Sequence, residues 1–144
     1  MNLTIDQLPD HCDVLVVGAG PAGSAAATLL ARGGLDVVLV DQHAFPRDKI
    51  CGDGLIPDAH AALKRLGTYD EVMSQAQWVR HVRCVGSSGR LIDVPGALAV
   101  LPRKQLDHIL FRAAVAAGAQ PLLPARFEAP LLEGERVVGA RLKI

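Results

Sequence analysis

The chain has 144 residues, half of them hydrophobic and 21% charged, with a formal net charge of zero. That is one domain's length with enough apolar matter for a core, which argues against disorder. Lys and Arg are scattered, with no basic stripe, so the composition argues against a nucleic-acid partner.

The first ten residues, "MNLTIDQLPD", carry two aspartates and no positive cluster, so they are not a signal peptide. The three cysteines, Cys12, Cys51 and Cys84, are odd in number and form no C-x-x-C pair. A reducing cytosol suits them better than a disulfide scaffold or a zinc site. From Val14 to Ala31 no residue is charged. Gly18, Gly20, Pro21 and Gly23 interrupt that run, and its halves differ in periodicity, so it is not a membrane span.

Residues 13–17, "DVLVV", predict a buried strand, and residues 22–32, "AGSAAATLLAR", a helix of small residues stopped by Gly33 and Gly34. Residues 36–41, "DVVLVD", predict a second buried strand. Strands apolar on both faces around a helix indicate an α/β fold with a covered parallel sheet. "FPRDKICGDGLIP", residues 45–57, has neither helical nor strand periodicity. Unstructured loops of this length are uncommon unless they serve a function. A helix follows over about 58–66, with Asp58 as its N-cap and Gly67 as its stop. Short β-like pieces occupy 79–101, two of them joined by "GSSG". Leu106, Ile109, Leu110, Ala113, Ala114 and Ala117 mark an amphipathic helix over 103–117. Strand-like pieces at 120–123, 126–132 and 136–143 complete an apparent meander.

The turn "GAGPAG" places Gly18, Gly20 and Gly23 as G-x-G-x-x-G between a strand and a helix. Gly18 allows the tight turn. Gly20 lets a pyrophosphate meet bare backbone. Gly23 lets the helix sit close to the strand, and Ala27 extends that contact. The helix N-terminus supplies unpaired N–H groups and partial positive charge. Asp41 ends the next strand, near the expected offset of about 20 residues for a ribose-binding acid. Its charge would repel a 2′-phosphate, which argues against NADP at this site. The motif alone leaves NAD and FAD open, and an ordinary strand–helix turn is the plainer alternative.

Three stretches together, "DVLVVGAGPAGSAAATLLARGGLDVVLVDQ", "FPRDKICGDGL" and "LPRKQLDHIL", resemble the start of FAD-dependent oxidoreductases of the geranylgeranyl reductase type. These belong to the flavoprotein superfamily of aromatic hydroxylases and flavin-dependent halogenases. The K-x-C-G loop is the more specific pointer. The resemblance implies a Rossmann-like FAD-binding domain with a parallel sheet and a β-meander. It also implies that the chain is an N-terminal portion, with residues 79–101 contributing to a substrate-side sheet. By that resemblance, Gly18, Gly20, Ala22 and Gly23 line the pyrophosphate and Asp41 holds the adenosine ribose. Arg47, Cys51, Gly52 and Gly54 run along the FAD toward its ring. Arg103 reaches the cofactor from the start of its helix, and the backbone near Phe127 touches the adenine. Asp53 receives no role. The long loop would then leave the sheet edge, pass along an extended ligand and return, its glycines permitting close approach.

Each assignment has a plainer counterpart. Arg47 and Lys49 are otherwise solvated loop charges, and Cys51 a small buried packing residue. Arg103 stands in the first turn of its helix, where a cation opposes the dipole, and that misfit favours an anionic partner. The five histidines show no metal spacing.

The resemblance implies reduction of prenyl carbon–carbon double bonds by reduced FAD. Its partners would be a small-molecule or prenyl-lipid substrate and NAD(P)H or another electron donor, and its setting the cytoplasm, with a membrane surface within reach of a prenyl lipid. A flavin-dependent monooxygenase or halogenase is the near alternative. An NAD-binding dehydrogenase domain and a truncated, non-catalytic nucleotide-binding module are the distant ones.

Overall fold

In the computed structural model, which describes residues 2–144, the elements run in chain order. A 3-10 turn (Ile5–Gln7) precedes β1 (Val14–Val17), α1 (Pro21–Arg32), β2 (Val37–Val40), β3 (Gly54–Leu55), α2 (Pro57–Leu66) and α3 (Tyr69–Gln75). Then come β4 (Gln77–Val85), β5 (Leu91–Val100), α4 (Arg103–Ala116), β6 (Gln120–Leu122), β7 (Arg126–Glu133) and β8 (Arg136–Lys143).

The parallel sheet has the order β1-β2-β6, so the all-apolar β2 lies at its centre. All four residues of β2 are buried, because the sheet is covered on both faces. Val37 and Leu39 pack with Ala19, Ala27, Ala114 and Ala119 beneath α1 and α4. Val38 and Val40 pack on the other face with Leu122 and Ala125, against Leu3, Leu8 and Leu142. The small residues on α1 serve this packing: Ala27 has no exposed surface, and α1 can lie close to both β2 and α4. A third cluster joins Leu63 and Leu66 of α2 and Val72 of α3 to Leu106, Ile109 and Leu110 of α4, over Leu55 and Ala99.

Several sequence-based boundaries move. The loop at 45–57 contains β3, which pairs Gly54 with Val100 and Leu55 with Ala99. Asp58 is not the cap of α2. Pro57 occupies the first helical position, where its missing N–H costs nothing, and Ile56 takes the cap position. The sequence reading assigned no element to α3, a seven-residue helix whose one buried residue is Val72. The β-like pieces after "GSSG" form one strand, β5, which carries Pro95 and Gly96 within it. Pro95 is tolerated because β3 reaches only the last two residues of β5, and because the β4 pairing shifts register between Val79 and His81. The pieces at 120–123, 126–132 and 136–143 do not form one meander: β6 joins the parallel sheet beside β2, and β7 and β8 form a separate antiparallel ribbon.

Candidate functional site: a phosphate crook under two arginines

The strand-to-helix turn is held by backbone first. The Gly18 N–H donates to the Val40 carbonyl at 2.7 Å, and Gly18 takes φ +97°, a left-handed value that favours glycine. A Cβ on Gly23 would lie 1.7 Å from the Gly18 carbonyl oxygen. The close contact at Gly23 is therefore with the turn itself, and any side chain there would break it. Ser24, fully buried, donates its hydroxyl to the Ala19 carbonyl at 2.9 Å.

Gly20 is the cap residue of α1, with Pro21 next. The Ser24 N–H bonds the Gly20 carbonyl at 2.9 Å, which leaves the N–H groups of Ala22 and Gly23 without an intrahelical acceptor. Asp41 lies beside the crook and is 8% exposed. Its Oδ2 accepts from the Ala19 N–H at 2.8 Å and its Oδ1 from the His43 N–H at 2.9 Å. The aspartate thus braces the turn. A carboxylate has about four acceptor positions, so it retains capacity for two ribose hydroxyls.

The "GAGPAG" turn contains no cation, yet the fold brings two to it. Arg47 arrives from the long loop and Arg103 from the start of α4. A Cβ on Gly20 would meet Arg47 Nη2 at 3.4 Å and Arg103 Nη2 at 3.8 Å. Both guanidiniums converge on Asp107, a carboxylate with no exposed surface. Arg103 bonds it through Nε at 2.6 Å and Nη2 at 2.9 Å, and Arg47 forms an ion pair with it, Nη2 to Oδ2 at 3.2 Å. The hydrogen bond to Asp107 pushes the Arg103 guanidinium above its ordinary range, so its charge is permanent. The anion favoured beside Arg103 is thus present within its own helix. Arg47 also lies over the Phe45 ring at 4.9 Å, and Phe45 stacks on Phe111 of α4 at 5.0 Å. Arg47 is 14% exposed and is not a solvated loop charge. Its Nη1 is buried with no acceptor among the described residues.

The rest of the loop is anchored to the same helix. Asp53 takes φ +55°, its carbonyl accepts from the Leu101 N–H at 3.0 Å, and its Oδ1 accepts from the Arg103 N–H at 3.2 Å. It therefore caps α4 from a distance, a role the sequence reading did not assign. Cys51 is exposed, which corrects its reading as a buried packing residue. The Asp53 backbone N–H, and then the Arg103 guanidinium, hold its thiol below the ordinary range. A Cβ on Gly52 would meet nothing within 4 Å, and one on Gly54 only the Gly52 carbonyl at 3.9 Å. The protein itself does not demand glycine at either place.

Phe127 lies at the far end. It lines an open cleft of about 360 Å³ together with Gly18, Asp41, His43, Arg47 and Lys49. The structure thus gathers Gly18, Gly20, Ala22, Gly23, Asp41, Arg47 and Arg103 around one crook. Phe127 is linked to them by the cleft and Cys51 by Arg103. Asp107, Phe45 and Phe111 were missed as site residues. The i, i+4 spacing of Arg103 and Asp107 was the available signal for the first of these.

Among the described residues no group of three or more His, Cys, Asp or Glu is placed to hold a metal. No helix there is long and apolar enough to cross a membrane.

Residues 11–143 match the family described as FAD binding domain. The chain is 44% identical over 125 residues to the menaquinone reductase of Mycobacterium tuberculosis, covering 81% of this chain and 30% of that protein. It is 38% identical over 128 residues to digeranylgeranylglycerophospholipid reductase 2 of Methanopyrus kandleri, covering 88% and 32%. The flavin-dependent brominase Bmp2 superposes with a TM-score of 0.84 at 29% identity, over 93% of this chain and 34% of that one. The chain therefore spans about a third of the length of these relatives.

Proposed function

The chain belongs to the FAD-binding-domain family, and from that premise we propose that it is the FAD-binding portion of a flavin-dependent oxidoreductase of the geranylgeranyl reductase type. The observation that carries the binding half is the unpartnered Arg47 Nη1 beside the bare backbone of Gly20. Two guanidiniums, two free helix amides and no side chain at the cap make a cradle for a diphosphate. In this reading the Ala22 and Gly23 amides, Arg47 and Arg103 take the pyrophosphate. Asp41 accepts from the ribose, and the cleft toward Phe127 receives the adenine. The Cys51–Gly54 segment, with Cys51 exposed and open space where a side chain on Gly52 would stand, runs beside the cofactor toward its ring.

FAD supplies the hydride chemistry, and the protein supplies binding, orientation and electrostatics. The reductase type is favoured by the menaquinone reductase, 44% identical over 125 residues, while two halogenases are 36% identical over 128 residues and 48% over only 66. The substrate would then be a small molecule or lipid bearing a prenyl chain. NAD(P)H or another reductant would be the donor, and the setting the cytoplasm or a membrane surface. The fold likeness to the brominase supports a second reading, a monooxygenase or halogenase.

The test uses the full-length protein that bears this chain. Reduced without oxygen and given a polyprenyl substrate, it should yield a product richer by two hydrogens per reduced double bond, read by mass spectrometry. A product carrying oxygen or halogen, formed only in air, would move the assignment to the second reading.

A further inference from the structure

Asp107 is the one charged residue with no exposed surface in the described chain, and no step of the reading above uses it. We propose that Asp107 is a positioning residue for the phosphate crook: it touches no ligand, and it aligns Arg47 and Arg103 over Gly20. The proposal rests on the reading of that crook as a pyrophosphate site.

Two guanidiniums this near each other repel, and each ends a flexible side chain. A single carboxylate between them offsets the repulsion, fixes the Arg103 fork and draws one end of the Arg47 fork to the same point. Arg103 commits two donors to it, and Arg47 Nη2 lies against it as an ion pair at 3.2 Å. An arginine has five donors, so most stay free for another acceptor. Arg47 is held from a second side by the Phe45 ring, itself stacked on Phe111. Asp107 and Phe111 lie one turn apart on α4, so one helix face sets the orientation of a loop arginine. One net positive charge remains over the helix N-terminus. A diphosphate arriving there meets donors already in place and loses little to ordering them.

A purely structural role, pinning the loop to α4, would weaken every ligand of the cleft alike. A positioning role weakens only those with phosphate. The experiment therefore compares ADP with adenosine by calorimetric titration of the full chain. Asp107→Asn keeps the shape and removes the charge. It should lower ADP affinity about tenfold or more, the scale of one misaligned charge-assisted bond, and leave adenosine within about twofold. Should that variant not fold, Arg47→Lys carries the test. It keeps the charge, loses the fork, and should show the same selective loss of ADP. Equal loss of ADP and adenosine, or unchanged ADP affinity in either variant, would overturn the proposal. If the unaltered chain bound neither ADP nor FAD, the pyrophosphate reading itself would fall and the proposal with it. That result is distinct from normal binding with an indifferent Asp107.

Discussion

Gly20 and Gly23 share a motif yet are glycine for different reasons. A Cβ at Gly23 collides with the backbone oxygen of Gly18, so Gly23→Ala should cost about 3 kcal/mol or more of stability, read as a lower urea midpoint. A Cβ at Gly20 would stand at ordinary contact distance, 3.4 and 3.8 Å, from two guanidinium nitrogens, so its demand comes from the space it leaves for a ligand. Cys51 supports a second residue-scale expectation. Its thiol is held low by the Asp53 amide and by Arg103, so alkylation by iodoacetamide should reach its half-maximal rate at a pH below that of a free cysteine. Arg103→Gln should shift that midpoint upward, and an unmoved midpoint would remove Arg103 from the thiol's surroundings. At this scale the glycine spacing and the acid at the end of β2 were legible because each has a local backbone cause. Asp107 was not, because its partners come from segments far apart in the chain, and its burial depends on how the loop folds over α4.

Helix α4 is the element on which the site is assembled. It presents Arg103, Asp107 and Phe111 to the loop, and its first turn is capped by Asp53 rather than by a neighbour in sequence. Asp53→Ala should therefore cost about 1 kcal/mol, the usual worth of an N-terminal cap, plus strain from its positive φ. Asp53→Asn, which keeps an oxygen acceptor and tolerates that φ, should lose much less in the same urea titration. The periodicity of α4 and of the first strand–helix–strand unit could be read from sequence because long apolar patterns dominate there. Helix α3 escaped because a seven-residue helix with one buried side chain leaves almost no periodic trace. The division of β5 into two pieces followed from Pro95 and Gly96, which read as breaks until pairing with β4 alone over most of the strand makes room for them. The loop concealed β3 because a two-residue strand has no pattern of its own, only a partner.

At the scale of the molecule, three small clusters among the described residues share the burden of the core, and α4 contributes side chains to two of them. The same helix then ties the phosphate crook to the loop, so the site is as rigid as the packing that supports it. Beyond this centre the β4–β5 hairpin exposes Val82, Ile92 and Val94 along one face, and the β7–β8 ribbon exposes Leu132 and Val137. The fold class was legible from the first forty residues. The separation of the last hairpin from the parallel sheet was not, since adjacent strand-like pieces in sequence do not reveal which sheet each joins. The central claim is that bare backbone at Gly20, beneath two arginines, receives the diphosphate of FAD. Titration of FAD into the purified protein, followed by flavin fluorescence, tests it most directly when run beside Gly20→Val. The account predicts saturable binding by the unaltered protein and at least about tenfold weaker binding by the variant, which still melts cooperatively as a folded protein. Equal affinity in the two proteins, or no binding by the unaltered one, would contradict it.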